Sequence, residues 1–177
     1  AMERTVFRVE LEPAEWSEQG ADALRFLVSP NVGEEPRPLE KIASGGELSR
    51  IALALKTCLG AAGGSARAPQ AVPRTLVFDE VDAGIGGRAA ETVGRRLKQL
   101  AAQSQVLCVT HLPQIAAFGD HHFFVEKKEA AGRTVAVVQE VTGEARTREI
   151  GRMLSGERLT EAALRHAAQL LKAAAGG

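Results

Sequence analysis

The chain has 177 residues, enough for one domain with a real core or for a large part of a bigger one. It is 45% apolar, and 22 basic residues balance 22 acidic ones, so no global basic field draws it to nucleic acid and any such contact needs a local patch. No run is long and apolar enough to span a bilayer, no signal peptide is visible, and Cys58 and Cys108 lack metal-ligand spacing. These features read as a soluble intracellular protein with two buried free thiols.

Residues 4–11 and 23–29 alternate polar and apolar side chains, which predicts two antiparallel strands. Pro13, Gly20 and several acids lie between them and predict a loose connection, with Trp16 packing back on a strand. Residues 30–38 hold three prolines and a glycine and read as a loop. From Glu47 the apolar residues Leu48, Ile51, Ala52, Leu55 and Leu59 fall at helical spacing. Ser44 and Glu47 fit a capping box at the start of that helix. The cap does not explain the intervening pair Gly45-Gly46, which weakens a first turn but lets another molecule approach the backbone at the positive end of the helix dipole. Residues 60–73 are small, carry Gly and Pro, and read as a mobile loop.

A strand over 74–79 then runs into Asp79 and Glu80, followed by Asp82 and by glycines at 84, 86 and 87. A buried strand tolerates carboxylates most readily at its exposed C-terminal tip, the edge where ligands gather in open α/β sheets. Two neighbouring acids there suit a divided task, one holding magnesium through water and the other polarising an attacking water. A solvated acidic turn is the plainer alternative. Helical spacing over 88–103 has Ala89, Val93, Leu97 and Leu100 inward, and the apolar run 106–110 reads as a strand covered on both faces. His111 stands at its tip. If the two strands are parallel neighbours, as βαβ topology predicts, Asp79, Glu80 and His111 share one rim. A short helix over 113–118, a hairpin (122–127 and 134–141) turning near Gly132, and helices over about 146–154 and 158–174 complete the chain.

Three motifs stand in order: Lys41-Ile-Ala-Ser-Gly-Gly-Glu-Leu-Ser-Arg50, Thr75 to Gly87, and Val109-Thr-His-Leu-Pro-Gln-Ile-Ala116. Together they resemble the signature motif, the Walker B strand with its D-loop, and the switch-histidine region of ABC-type ATPases, in the form seen in SMC-like chromosome and repair proteins of bacteria. The resemblance covers roughly residues 25–125. It implies an α/β fold, the C-terminal half of an ABC/SMC-type P-loop NTPase head, with a partly parallel sheet flanked by helices, an antiparallel N-terminal strand pair and a C-terminal hairpin. Residues 1–177 then form one unit.

The same resemblance implies roles. Asp79 would hold the water shell of magnesium, Glu80 would be the general base, and His111 would contact the γ-phosphate of ATP. Ser44, Gly45, Gly46 and Glu47 would face, outward, a nucleotide bound on a second head. Asp82, Gly84 and Gly86 would form the D-loop at the dimer interface, although that loop often ends in an aspartate where this chain has Gly86. The implied setting is DNA repair and recombination in the bacterial cytoplasm, at the nucleoid, with no membrane contact and with DNA as a partner by resemblance only. The pattern Gly-x-x-x-x-Gly-Lys-Ser/Thr is absent from the sequence. In this family it lies in an N-terminal segment beyond a long coiled coil, so the expected partners are that segment and a second head. Without it the chain is expected to hydrolyse no ATP and to associate through faces that segment would cover. The alternative is a non-catalytic module that docks a partner through the signature helix. A transporter subunit fits less well, because no membrane-coupling segment is visible.

Overall fold

The computed structural model describes residues 4–18, 20–29, 33–41, 44–62, 74–130, 132–156 and 158–176, without the side chains of 59–62 and 130. Among them, β1 (Val6–Ser17) and β2 (Gly20–Ser29) form an antiparallel pair in which Phe7 lies opposite Val28 and Leu11 opposite Leu24. The connection is shorter than the sequence predicts. Strand β1 continues through Pro13 because the register breaks between Pro13 and Ser17, and a break is where a strand can carry a residue with no amide donor. Trp16 therefore stands on the strand and is 91% exposed, not packed back. The segment 30–38 is not all loop: Arg37–Pro38 forms a short strand β3 against β2, and a 3-10 turn covers Leu39–Lys41.

Helix α1 spans Gly45–Ala62, and residues 63–73 of the 60–73 loop lie outside the described residues. Its buried positions are Gly46, Ile51 and Leu53, while Leu48 and Ala52 are exposed. Strand β4 (Thr75–Phe78) pairs in parallel with β5 (Gln105–Cys108), joined by α2 (Gly87–Ala101), so the predicted strand–helix–strand unit forms with its strands side by side. The pleat turns Leu76, Phe78, Val106 and Cys108 to one face. They pack there with Leu53 of α1, Ala90, Val93 and Leu97 of α2, and Ile115 of α3 (Pro113–Ala116). Gly94 permits the close approach of α2 to the segment after α3, since a Cβ there would meet the Phe118 ring at 2.5 Å.

The opposite face is bare. Val77 is 67% exposed, Leu107 48% and Val109 63%, so the run 106–110 is covered on one face, not both. Cys58 is likewise exposed rather than buried, and Cys108 is half-buried. The hairpin β6 (Phe123–Ala130) and β7 (Arg133–Glu140) turns through Gly132, whose φ of 73° is the left-handed conformation that favours glycine. Helices α4 (Gly143–Ser155) and α5 (Glu161–Ala175) pack through Ile150, Gly151, Ala163 and Ala167. No helix among the described residues is long and apolar enough to cross a membrane.

Candidate functional site

The site forms where β4 and β5 end. The parallel ladder extends one step past the strands, with the Val109 amide donating to the Phe78 carbonyl at 2.9 Å, so Asp79-Glu80 and Thr110-His111 leave the sheet beside each other. Glu80 then takes φ 56°, a left-handed conformation rare for a residue with a side chain. Its amide donates to Asp79 Oδ1 at 2.9 Å, and its carbonyl accepts from the Ala83 amide at 3.0 Å. This reversal leaves Asp79 and Glu80 exposed and drives Val81 and Asp82 inward, to 0% and 4% exposure.

Asp82 is thus not displayed at the surface as the D-loop expectation has it. Its Oδ2 accepts from Thr110 Oγ1 at 2.6 Å and from the His111 amide at 2.9 Å, and it lies 3.0 Å from His111 Nδ1. Burial by itself pushes this carboxyl's pKa up. The Thr110 and His111 hydrogen bonds and the charge of His111 outweigh it and hold the group below the ordinary carboxylate range. Thr110 Oγ1 also accepts from the Leu112 amide at 3.0 Å, which fixes the turn into α3. The His111 side chain remains 74% exposed.

The first turn of α1 packs against the same acidic turn. Ser44 Oγ accepts from the Glu47 amide at 3.2 Å, half of the predicted capping box. Gly45 is exposed, but a Cβ on it would stand 2.5 Å from Glu80 Oε2. Gly46 is buried, contrary to the outward placement expected of the pair, and a Cβ on it would meet Ala83 Cβ at 2.7 Å and the Glu80 carbonyl oxygen at 2.9 Å. Gly46 is therefore needed within the chain, where helix and turn meet, whereas only the end of a flexible side chain stands against Gly45. Two further ties hold that junction: Ser49 Oγ donates to the Asp79 carbonyl at 2.8 Å, and Arg50 Nη1 donates to the Ala83 carbonyl at 2.7 Å and the Val81 carbonyl at 3.4 Å. Sequence reading missed Ser49, Arg50 and Thr110. Their only signal is adjacency, since each directly borders or completes a motif already singled out.

Gly84, with φ 71°, needs the freedom of glycine, whereas Gly86 is extended and caps α2 without steric demand. Asp79 offers a hard oxygen at an exposed rim, and no cluster of three or more metal ligands exists among the described residues. That donor set fits magnesium, which typically takes one or two carboxylates plus water and substrate phosphates, and does not suit a fully protein-ligated ion.

No family model matches the chain. It is 41% identical over 163 residues to the DNA repair protein RecN of Bacillus subtilis, covering 92% of this chain and 27% of that protein. It is 43% identical over 176 residues to RecN of Vibrio cholerae, covering 98% of this chain and 30% of that protein. Against RecN of Deinococcus radiodurans it is 55% identical over 148 residues, 84% of this chain and 24% of that protein. The chain thus spans less than a third of the length of the curated relatives it matches. Among solved structures, the Smc head domain with a coiled coil and joint from Pyrococcus yayanosii superposes with TM-score 0.55 at 20% identity, covering 98% of this chain and 26% of that one. A structure from work on ATP-driven dimerization and DNA-stimulated activation of SMC ATPases gives TM-score 0.50 at 19% identity, covering 87% and 84%. The fold is that of SMC ATPase heads.

Proposed function

We propose that this chain, a RecN-type sequence over nearly its whole length, is the signature and Walker B part of an SMC-like ATPase head that acts in repair of DNA double-strand breaks. The observation that carries the reading is the shared rim: Asp82 ties the tip of β5 to the turn after β4, so that two exposed carboxylates and one imidazole belong to a single structural unit.

In this reading Glu80 is the general base that takes a proton from the water attacking the γ-phosphate. Asp79 holds the water shell of magnesium, which supplies charge neutralisation on the phosphates when bound. His111 meets the γ-phosphate. Ser44 and Gly45, with the first-turn amides of α1 that no helical carbonyl can reach, face a nucleotide carried by a second head. Gly46 serves the same motif from within, by letting α1 seat against the acidic turn. ATP is then sandwiched between two heads, and its hydrolysis releases them. The α- and β-phosphate cradle comes from a P-loop elsewhere in the protein, so this chain alone turns over no ATP. DNA is the partner of the whole protein in this reading.

The test uses the full-length protein that carries this segment. Glu80→Gln is expected to keep ATP binding, stop turnover and trap paired heads. Wild-type turnover in that variant removes Glu80 from the role of base. Mixing this chain with a polypeptide bearing the P-loop is expected to restore turnover.

A further inference from the structure

We propose that Asp82 is the positioning residue of His111, fixing which ring nitrogen faces the nucleotide and locking the His111 backbone to the turn that carries Glu80. The proposal rests on the reading of His111 as a nucleotide contact and departs from the D-loop expectation that Asp82 reaches across a dimer interface.

The argument begins with burial. Asp82 is 4% exposed, and a carboxylate taken out of water must be matched by donors. Two donors reach its Oδ2 from the tip of β5, the Thr110 hydroxyl at 2.6 Å and the His111 amide at 2.9 Å, and His111 Nδ1 stands 3.0 Å from the same oxygen. The imidazole thus turns Nδ1 toward the buried carboxylate, at ion-pair distance. Nε2 is then the nitrogen left for a ligand on a ring that is 74% exposed. The amide bond to His111 and the Thr110 bond that in turn orders Leu112 hold the ring's backbone as well as its face. Asp82 lies two residues after Glu80, beyond its left-handed turn, so one carboxylate sets the spacing between the two groups.

The experiment is a double-mutant cycle on ATP turnover in the full-length protein, with Asp82→Asn, His111→Gln and the pair. Asp82→Asn keeps the shape but cannot hold both donors and Nδ1 on one charged oxygen. It is expected to lower kcat on the order of 10- to 100-fold, the scale of a reacting group displaced by about an ångström, with little change in KM for ATP. His111→Gln should lose a similar factor, and the pair should lose no more than His111→Gln alone. Losses that multiply would show that Asp82 acts independently of His111 and would overturn the proposal while leaving His111 at the nucleotide. If His111→Gln turns over like wild type, the reading beneath the proposal fails, and the proposal with it. Thr110→Val guards against a misfolded Asp82→Asn. It loosens the same oxygen without touching the charge, and its smaller loss should likewise vanish when His111 is Gln; persistence of that loss would count against the proposal.

Discussion

The carboxylate of Glu80 lies against the α-carbon of Gly45, so close that a Cβ there would stand 2.5 Å from Oε2. One residue later, a Cβ on Gly46 would meet the backbone oxygen of Glu80 at 2.9 Å. The two glycines therefore fail differently when a methyl is added. The end of a glutamate side chain can swing aside, and alanine gains roughly 0.5–1 kcal/mol over glycine within a helix. Gly45→Ala should keep or slightly raise thermal stability while displacing the Glu80 carboxylate, and turnover of the full-length protein should fall about tenfold or more. Gly46→Ala must move backbone and should cost about 1–3 kcal/mol, as overpacked sites do. Thermal melts beside steady-state turnover separate the two, and equal stability losses would refute the distinction.

The strand–helix–strand unit, the hairpin and the tail helices were legible because their signals are local. Apolar periodicity over 88–103 and the strand lengths around it place Asp79 and His111 on neighbouring tips without knowledge of any contact. The interior of the acidic turn was not legible. Nothing in Asp-Glu-Val-Asp says that Glu80 will adopt φ 56°, yet that single dihedral sends Asp82 into the protein instead of toward a partner. The glycine pair misled in a related way, since it read as room for another molecule while the group against Gly46 is Glu80–Ala83 of the same chain. Pro13 and Gly20 read as turn signals, but β1 is an edge strand whose register breaks just after Pro13, and such a position can carry a residue with no amide donor.

Acid should loosen this rim. Asp82 has a folded pKa below its unfolded one, so its stabilising contribution is complete above the ordinary carboxylate range and is lost as pH falls through the folded value. Melting temperature is expected to drop below about pH 4, the unperturbed carboxylate value. Asp82→Asn, less stable at neutral pH, should show a shallower acid limb. An unchanged acid slope in that variant would assign the acid sensitivity to other carboxylates.

The two cysteines should react at very different rates. Burial pushes the Cys108 thiol up to about 12, with the charges of Asp82 and Asp79 adding to the effect, so almost no thiolate exists at neutral pH. Cys58 is exposed on α1. Brief iodoacetamide treatment followed by peptide mass spectrometry should find Cys58 alkylated and Cys108 intact until the protein is unfolded. Early labelling of Cys108 would mean that the core beneath β5 opens readily.

Arg146 joins the C-terminal helices to the site's scaffold. Its guanidinium donates to the carbonyls of Ala116, Ala117 and Gly119 at 3.3, 3.1 and 2.6 Å, gathering the chain just after α3. Removing a charged donor from such partners costs about 1.5–3 kcal/mol. Arg146→Ala should lower the melting temperature by roughly 5–10 °C for a domain of this size. Arg146→Lys should recover part of the loss, because all three bonds leave the single nitrogen Nη2 and an ammonium also offers three donors from one nitrogen, on a differently shaped stem.

The bare face of the β4–β5 pair sets the last expectation. Val77, Leu107 and Val109 present adjacent apolar side chains to solvent at 48–67% exposure, on parallel strands whose usual environment is cover on both faces. Scattered exposed valines need no explanation, but these three lie on neighbouring strands of one sheet and continue up to the rim that carries Glu80 and His111. Burying them is favourable whatever supplies the cover, and the chain alone has only itself to offer. Light scattering across a concentration series should therefore find the isolated chain associating, and a polypeptide from the P-loop-bearing part of a RecN relative should return it to a defined complex. Leu107→Thr together with Val109→Thr should weaken self-association without unfolding the core, because both side chains point away from it. A monodisperse monomer at every concentration, unchanged by the added polypeptide, would show that this face needs no cover.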